Sequence, residues 1–249
     1  MSKPLAIWTT GAPVPAAERA RGSFFEMIAT GVRLGFEGNL VAVACSPQGM
    51  SRKVPSQALG DLDAARLCDV AGIVVSGSPA RLGTREPWMD ACLSALRTAH
   101  ARRVPILGIC FGHQLLGEAL GGAVGPNPQG REIGTVPLQR AEEDPLLDGI
   151  QAPPNVVMTH LDSVLRAPSD ATVVATTQME PHAALRFSET TWGVQFHPEM
   201  DAEVIGHYVE ARRDAIEQEG LLPDEILSGR MDSRYGTQLL QRFGQLCQR

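Results

Sequence analysis

An apolar stretch at residues 104–109 leads, without a linker, into a glycine-flanked cysteine, Cys110. Similar apolar stretches occur earlier in the sequence, and amphipathic helical patterns separate them. The predicted strands lie at 4–10, 40–44, 72–75 and 104–109, and the predicted helices at 16–34, 87–101 and 114–120. Strands that are apolar along their whole length are typical of a parallel sheet covered by helices on both faces. The first half therefore predicts an α/β fold with a central, mostly parallel sheet flanked by helices.

The second half of the sequence has shorter strand patterns, separated by turns rich in Pro, Gly, Asp and Ser. These strands are predicted at 133–138, 156–159, 172–176, 184–187 and 192–196. Their pattern predicts an added antiparallel portion, followed by a helix at 202–217. Because no repeat, low-complexity tract or long linker interrupts the 249 residues, we expect a single domain over 1–249, in which 219–249 forms a helical C-terminal extension.

The composition excludes several classes of protein. Asp and Glu outnumber Lys and Arg by 28 to 22, a net charge of −6, whereas a nucleic-acid binder needs a basic face to neutralise phosphates. The longest apolar stretches are far shorter than the roughly 18 to 20 residues that span a bilayer, and the first residues lack the pattern of a signal peptide. We therefore expect a cytoplasmic protein that binds neither nucleic acid nor a membrane.

The five cysteines are irregularly spaced and include no Cys-x-x-Cys pair. This spacing argues against a disulfide framework and against a zinc site, so no metal is expected. In a reducing compartment, each thiol then has to be explained singly, by packing or by chemistry.

Cys110 has the setting of a nucleophile. In Gly108-Ile109-Cys110-Phe111-Gly112 it stands between a strand and a helix, and the glycines allow the sharp turn of a nucleophile elbow. The following helix would direct its N-terminal N–H groups at this position, and the N–H of Phe111 would form one half of an oxyanion hole. The alternative is a buried cysteine in a glycine-rich turn that serves packing or phosphate binding.

Two further segments contain partners for this cysteine. His197, after a predicted strand, can exchange a proton with a thiol, and Glu199 can hold the imidazole in one tautomer. Gly77, in Ser76-Gly77-Ser78-Pro79 after another strand, would present its N–H at the same edge of the sheet as the second half of the oxyanion hole. Taken singly, the first pair is also compatible with a surface histidine beside a solvated acid, and the second segment with an ordinary turn.

Five motifs are spread over the sequence between the first strand and about Tyr208. They are Ser76-Gly77-Ser78-Pro79, Pro105-Ile106-Leu107-Gly108-Ile109-Cys110-Phe111-Gly112-His113-Gln114, Gly130-Arg131-Glu132-Ile133-Gly134, Thr159-His160-Leu161-Asp162-Ser163-Val164 and Gln195-Phe196-His197-Pro198-Glu199. Together they resemble the class I (triad) glutamine amidotransferases, and in particular free-standing members similar to the amidotransferase domain of GMP synthase. The resemblance implies the flavodoxin-like fold of that family.

The resemblance also implies an activity. A triad of Cys110, His197 and Glu199 would open the γ-amide of glutamine through a γ-glutamyl thioester and release glutamate and ammonia. Gly77 and Phe111 match the oxyanion-hole positions of the family.

Substrate contacts are implied as well. Gln114 matches a residue that helps to hold the glutamine, and His160, Leu161 and Asp162 match the segment near its α-carboxylate and α-amine. Relatives usually have glycine where this chain has Leu161, and leucine restricts the backbone there. Two alternatives are open: the substrate is a γ-glutamyl compound with a different α-end, or the leucine side chain points away and only its backbone matters.

Three functions are compatible with these motifs. The leading hypothesis is a glutamine amidotransferase-type hydrolase; because the sequence has no Gly-x-x-x-x-Gly-Lys-Ser/Thr loop and no room for an ATP-using domain, any synthesis would depend on a separate synthetase subunit that receives the ammonia. The alternatives are a self-sufficient γ-glutamyl peptidase or hydrolase, which Leu161 and the absent synthetase domain favour, and a non-catalytic binding or regulatory protein on the same scaffold. The expected partners are thus a small-molecule substrate, glutamine or a γ-glutamyl compound, and that synthetase; no cofactor is expected.

Overall fold

The computed structural model describes residues 2–49, 55–61, 63–150, 155–232 and 234–248. Strands and helices alternate through the first half of the chain, and strands predominate after it. The strands are β1 (Leu5–Thr9), β2 (Leu40–Ala44), β3 (Ser56–Ala58), β4 (Gly72–Val75), β5 (Ile106–Ile109), β6 (Ala123–Pro126), β7 (Glu132–Pro137), β8 (Gln139–Arg140), β9 (Asn155–His160), β10 (Asp162–Arg166), β11 (Thr172–Thr176), β12 (Ala184–Ser188) and β13 (Thr191–Val194).

The α-helices lie between these strands and at the end of the chain. They are α1 (Pro15–Arg21), α2 (Phe24–Val32), α3 (Ala64–Cys68), α4 (Pro87–Ala101), α5 (Phe111–Ala119), α6 (Ala202–Ala211), α7 (Arg213–Gln218), α8 (Pro223–Ser228) and α9 (Arg234–Cys247). Within the described ranges, no helix combines the length and the hydrophobicity that crossing a membrane requires.

One mixed sheet organises the described part of the chain. Its nine strands follow the order β3-β2-β1-β4-β5-β13-β12-β11-β8. Neighbours are parallel from β3 to β13, and β12, β11 and β8 continue the sheet with antiparallel pairings. Two antiparallel pairs, β6 with β10 and β7 with β9, lie outside it. The predicted fold class, a mostly parallel sheet with an added antiparallel portion, is confirmed.

Both faces of the sheet are buried under helices, which explains why its strands are apolar along their whole length. In β1, Leu5 and Ile7 point into the core that α2, α6 and α9 cover, whereas Ala6 and Trp8 point into the core that α4 and α5 cover. This alternation is the ordinary pleat of a strand. Because helices cover both faces of the sheet, a site can form at the edge where the carboxyl ends of the parallel strands lie.

Two predicted helices are each divided in the structure. The helix predicted at 16–34 is interrupted at Gly22 (φ 86°), and α2 restarts with a capping box in which Ser23 and Glu26 satisfy each other's backbone N–H. The helix predicted at 202–217 is interrupted at Arg212, whose φ of −120° and ψ of 13° are not helical. The sequence analysis also missed β3, β6, β8 and β10, because these strands are not apolar along their whole length.

The C-terminal residues form α8 and α9. Helix α9 packs against α2 and buries Leu239, Leu240 and Phe243. The ring of Tyr235 lies 6.4 Å from the ring of Phe196, edge on. The C-terminal helix therefore supports the segment that follows β13.

Candidate active site

The turn between β5 and α5 holds Cys110 in a strained conformation, with φ 50° and ψ −100°. A positive φ is costly for a residue with a side chain and persists only where the surroundings enforce it. Here the Cys110 N–H donates to the Val194 carbonyl at 2.8 Å. A Cβ on Gly108 would lie 2.5 Å from the Gly112 carbonyl, and one on Gly112 would lie 2.4 Å from the Val75 carbonyl oxygen. Glycine is thus required on both sides of this strand-turn-helix elbow.

The segment after β13 brings His197 and Glu199 beside Cys110. The Nδ1 atom of His197 is 2.7 Å from Oε1 of Glu199, and both side chains are buried. The other carboxylate oxygen, Oε2, is buried without a hydrogen-bond partner among the described residues. The backbone N–H of His197 donates to the Val157 carbonyl at 2.8 Å, and this bond attaches the segment to β9. The three predicted triad residues therefore lie together.

The electrostatics of the site favour a protonated His197. Burial alone would lower the pKa of the imidazole, but the charge and hydrogen bonds of Glu199 and Cys110 outweigh burial and raise it to about 10. Because the Glu199 carboxylate has its one described hydrogen bond with this ring, its charge acts mainly on the imidazole. An imidazolium held beside the thiol can protonate a leaving group.

The two predicted oxyanion-hole positions lie on either side of Cys110. A Cβ on Gly77 would lie 2.8 Å from Cε1 of His197 and 3.7 Å from Cβ of Cys110, so this glycine backbone is packed directly against both side chains. Phe111 is the first residue of α5, where N–H groups have no intrahelical acceptor.

Thr10, which the sequence analysis missed, fixes the orientation of the Gly77 peptide. Its hydroxyl lies 3.0 Å from the Ser76 carbonyl oxygen and 2.9 Å from that of Gly77. The N–H of a trans peptide points away from its carbonyl, so the bond to Ser76 determines where the Gly77 N–H points. A polar residue directly after a buried strand, here β1, is the signal that could have identified it.

A cavity of about 330 Å³, which we call the polar cavity, opens on one side of Cys110. All four predicted substrate contacts line it, namely Gln114, His160, Leu161 and Asp162. Nε2 of Gln114 donates to the Asp162 carbonyl at 2.7 Å. The remaining charged side chains in its wall are Arg81, Arg131 and Arg212.

Most charges in the polar cavity already have partners. Nε of Arg81 donates to Asp162 at 3.0 Å, and Arg131 donates two hydrogen bonds, at 2.6 and 2.9 Å, to Glu219. His160 is buried, and its Nε2 lies 3.1 Å from a carboxylate oxygen of Glu132. The polar cavity therefore presents compensated charges of both signs.

A second cavity of about 220 Å³, which we call the apolar cavity, adjoins the polar cavity, and the two share Ser78, Pro79, Cys110, Thr159 and Arg212 in their walls. Its wall includes Pro13, Val14, Phe24, His197, Tyr208 and Arg212. The ring of Phe24 is stacked on the His197 imidazole, with 6.5 Å between ring centres. His197 lines this cavity and does not line the polar one.

Arg212 is the second site residue that the sequence analysis missed. Its guanidinium lies over the Tyr208 ring, 4.9 Å from the ring centre, and donates to the Thr159 hydroxyl. Burial lowers its pKa from the ordinary value. Tyr208 and Arg212 are four residues apart, so they share one face of the predicted helix at 202–217. An arginine beside an apolar helix face is a weak signal, and it gains meaning only from the fold.

Comparison with known proteins relates this arrangement to one family. The model of the family described as glutamine amidotransferase class-I matches residues 31–213. Among curated proteins, the glutamine-hydrolyzing GMP synthase of Aeropyrum pernix is 39% identical over 151 residues, and that of Porphyromonas gingivalis is 42% identical over 136 residues. These matches cover 60% and 54% of this chain but 28% and 26% of the two synthases. The chain thus spans about a quarter of the length of these relatives.

Solved structures resemble the whole chain. A glutamine amidotransferase from Thermotoga maritima matches with a TM-score of 0.73 and 18% identity, covering 100% of both chains. A glutamine amido transferase from Methylobacillus flagellatus matches with a TM-score of 0.67 and 22% identity, covering 100% of this chain and 94% of that one. At these identities the likeness supports the fold alone.

Proposed function

This chain belongs to the class I glutamine amidotransferase family, and from that premise we propose that it is a cysteine hydrolase that opens the γ-amide of glutamine. The observation that carries the proposal is the cluster of Cys110, His197 and Glu199 at the elbow, with Gly77 packed against two of its members. A nucleophile, a proton donor and an orienting carboxylate are the groups that acyl transfer requires.

The proposed reaction has two steps. Sγ of Cys110 attacks the γ-carbonyl carbon, and the N–H groups of Gly77 and Phe111 stabilise the resulting oxyanion. His197 then gives its proton to the amide nitrogen, the C–N bond breaks and ammonia leaves a γ-glutamyl thioester. Water attacks the thioester as His197 accepts its proton, so that glutamate leaves and the cysteine is restored.

The polar cavity is the proposed site of the glutamyl part of the substrate. Its carboxylate, Asp162, and its guanidinium groups offer both signs of charge, which suits the α-ammonium and α-carboxylate of an amino acid. Leu161 lines this cavity, and its side chain restricts the backbone at this position. The backbone carbonyl of Leu161 accepts a hydrogen bond from the Asn127 N–H at 2.8 Å.

The similarity to GMP synthases supports a second element of the proposal, which is that a separate synthetase subunit receives the ammonia. The proposal also includes a single domain over residues 1–249. It further includes a cytoplasmic location, because a cysteine nucleophile has to remain a reduced thiol.

The proposal is tested by measuring ammonia and glutamate release from glutamine by the purified chain and by Cys110→Ala. Loss of the nucleophile should lower turnover by at least about 1,000-fold. Cys92→Ala, which removes a buried thiol on α4, is the matched control and should retain turnover. Glutamine turnover that survives in Cys110→Ala would contradict the proposal.

A second candidate is hydrolysis of other γ-glutamyl compounds. The specific observation that favours it is the apolar cavity beside His197, with Arg212 in its wall.

A further inference from the structure

We infer that Arg212 binds a carboxylate on the leaving group, so that the site accepts, besides glutamine, γ-glutamyl amino acids and short γ-glutamyl peptides as substrates. This inference rests on the proposed function, because it takes the thioester chemistry at Cys110 as its starting point. It concerns the part of the substrate that leaves, whereas the proposed function concerns the part that stays.

The position of His197 indicates where the leaving group lies. A general acid has to be within hydrogen-bond reach of the nitrogen that it protonates. His197 lines the apolar cavity and not the polar one. With the glutamyl part in the polar cavity, the bond to be broken lies over Cys110, and the departing nitrogen and its substituents extend into the apolar cavity.

The apolar cavity is much larger than ammonia needs. Ammonia is about the size of a water molecule, whose share of liquid volume is about 30 Å³. The cavity measures about 220 Å³ and has Pro13, Val14 and Phe24 in its wall. Room of this size and apolar character suits the carbon atoms of an amino acid attached to the amide nitrogen.

Arg212 supplies the charge that such a leaving group would meet. It lies at the boundary of the two cavities together with Cys110 and Thr159. In the part of the chain that the structure describes, no carboxylate lies within 4 Å of its guanidinium, which contacts the Thr159 hydroxyl and the Tyr208 ring. A guanidinium has five N–H donors in a planar fork that matches a carboxylate, so most of its donors are available to a ligand.

The neighbouring arginine shows how unusual this is. Arg213 lies 3.0 Å from Glu210, 2.9 Å from Asp224 and 3.8 Å from Glu217. The chain therefore compensates the Arg213 guanidinium threefold and leaves the Arg212 guanidinium, beside the nucleophile, without a described acid. Burial lowers the pKa of Arg212; the charge of Arg131 acts in the same direction, and Tyr208 and Cys110 act in the opposite one. A ligand carboxylate would offset the cost of burying this guanidinium.

The chemical step is the same as for glutamine, with a different amine. Sγ of Cys110 bonds to the γ-carbonyl carbon, and the bond from that carbon to the amino nitrogen of the second residue breaks. His197 protonates this nitrogen, and the freed amino acid leaves with its carboxylate on Arg212. Water then releases glutamate from the thioester.

The experiment compares two substrates that differ by one carboxylate, γ-glutamylglycine and γ-glutamylmethylamide. For the wild type, kcat/KM should favour γ-glutamylglycine by about 10- to 100-fold, the range expected of one charge-assisted contact. In Arg212→Met this ratio should fall to about 1, because methionine keeps the unbranched, mainly aliphatic part of the side chain but has no donor. Arg213→Met is the matched control and should keep the wild-type ratio.

Two results would overturn the inference: a wild-type ratio near 1, or an unchanged ratio in Arg212→Met. If Arg212→Met lowers kcat/KM equally for both substrates, Arg212 contacts the glutamyl part instead. Calorimetry on Cys110→Ala, with and without Arg212→Met, measures the same preference as binding. If neither these substrates nor glutamine is turned over, the proposed function fails. In that case, calorimetry still tests the inference: a binding preference for γ-glutamylglycine that disappears in Arg212→Met would show that this arginine binds the carboxylate.

Discussion

The polar cavity and the apolar cavity share Cys110 and Arg212 but differ in the other charges of their walls. In the polar cavity, Asp162 is paired with Arg81, and Arg131 is paired with Glu219. The wall of the apolar cavity is otherwise mainly uncharged, and Arg212, at the boundary of the two cavities, has no described acid within 4 Å. A compensated site can bind a zwitterion without a change in net charge, whereas an uncompensated guanidinium discriminates strongly in favour of an anion.

This difference separates two tasks of the site. Residues that line the polar cavity alone should contribute equally to every γ-glutamyl substrate, because all such substrates have the same α-end. Arg212, which also lines the apolar cavity, should distinguish substrates by their leaving groups. The triad and the oxyanion hole act on the γ-carbonyl and its nitrogen, which all these substrates have, so their removal should affect all substrates and leave the ratio between γ-glutamylglycine and γ-glutamylmethylamide unchanged.

The largest effect is expected for Glu199→Gln. An amide cannot stabilise the imidazolium or select its tautomer as the carboxylate does, so kcat/KM should fall roughly 1,000- to 10,000-fold for both substrates. Steady-state kinetics measures this loss, and Glu203→Gln, an exposed acid on α6, is the matched control. A fall confined to one substrate would contradict the role of Glu199 in orienting His197 for every substrate.

The same variant has a pH-dependent effect on stability. The folded-state pKa of His197, about 10, is above its ordinary value of 6.5, so the protonated pair stabilises the folded state. That contribution is fully present below about pH 6.5 and is lost as the pH rises through about 10. The free energy of unfolding should therefore differ more between wild type and Glu199→Gln at about pH 6 than above about pH 10, by on the order of 2 kcal/mol. Urea denaturation that shows equal differences at both pH values would exclude the ion pair as the cause.

A smaller loss is expected for Gly77→Ala. The added Cβ would lie 2.8 Å from Cε1 of His197, so either the imidazole or the Gly77 N–H has to move. One displaced oxyanion donor costs about 100- to 1,000-fold in kcat. Gly83→Ala is the matched control, because a Cβ there meets no atom within 4 Å. Retention of wild-type kcat in Gly77→Ala would remove this residue from the oxyanion hole.

The sequence predicts the parallel part of the sheet and the elbow well, for a physical reason. Strands buried on both faces are apolar along their whole length, and a turn that has no room for a Cβ requires Gly108 and Gly112. Both constraints are local and can be recognised in one segment. The strands that were missed, such as β3 and β8, lie at the ends of the sheet order, where burial imposes no such pattern.

Arg212 and Thr10 could not be assigned from the sequence, because their roles depend on contacts between distant segments. Thr10 bonds with the backbone of Ser76, 66 residues away, and Arg212 with Thr159, 53 residues away. The absence of an acid beside Arg212 is also a property of the fold, since Glu210 lies two residues before it and contacts Arg213 instead. A local charge pattern would have paired these residues differently.

The smallest effect is expected for Asp162→Asn, which acts on the polar cavity alone. Asparagine keeps the shape of the side chain and removes the charge that the α-ammonium and Arg81 would share, so KM should rise roughly 10-fold for γ-glutamylglycine and for γ-glutamylmethylamide alike. Asp90→Asn, which removes an exposed partner of Arg85, is the matched control. Because Arg212→Met should change the ratio between the two substrates and Asp162→Asn should not, the pair of variants tests the division of the site directly. If Asp162→Asn changes that ratio as well, the two cavities act as one binding site, and the leaving group cannot be assigned to the apolar cavity.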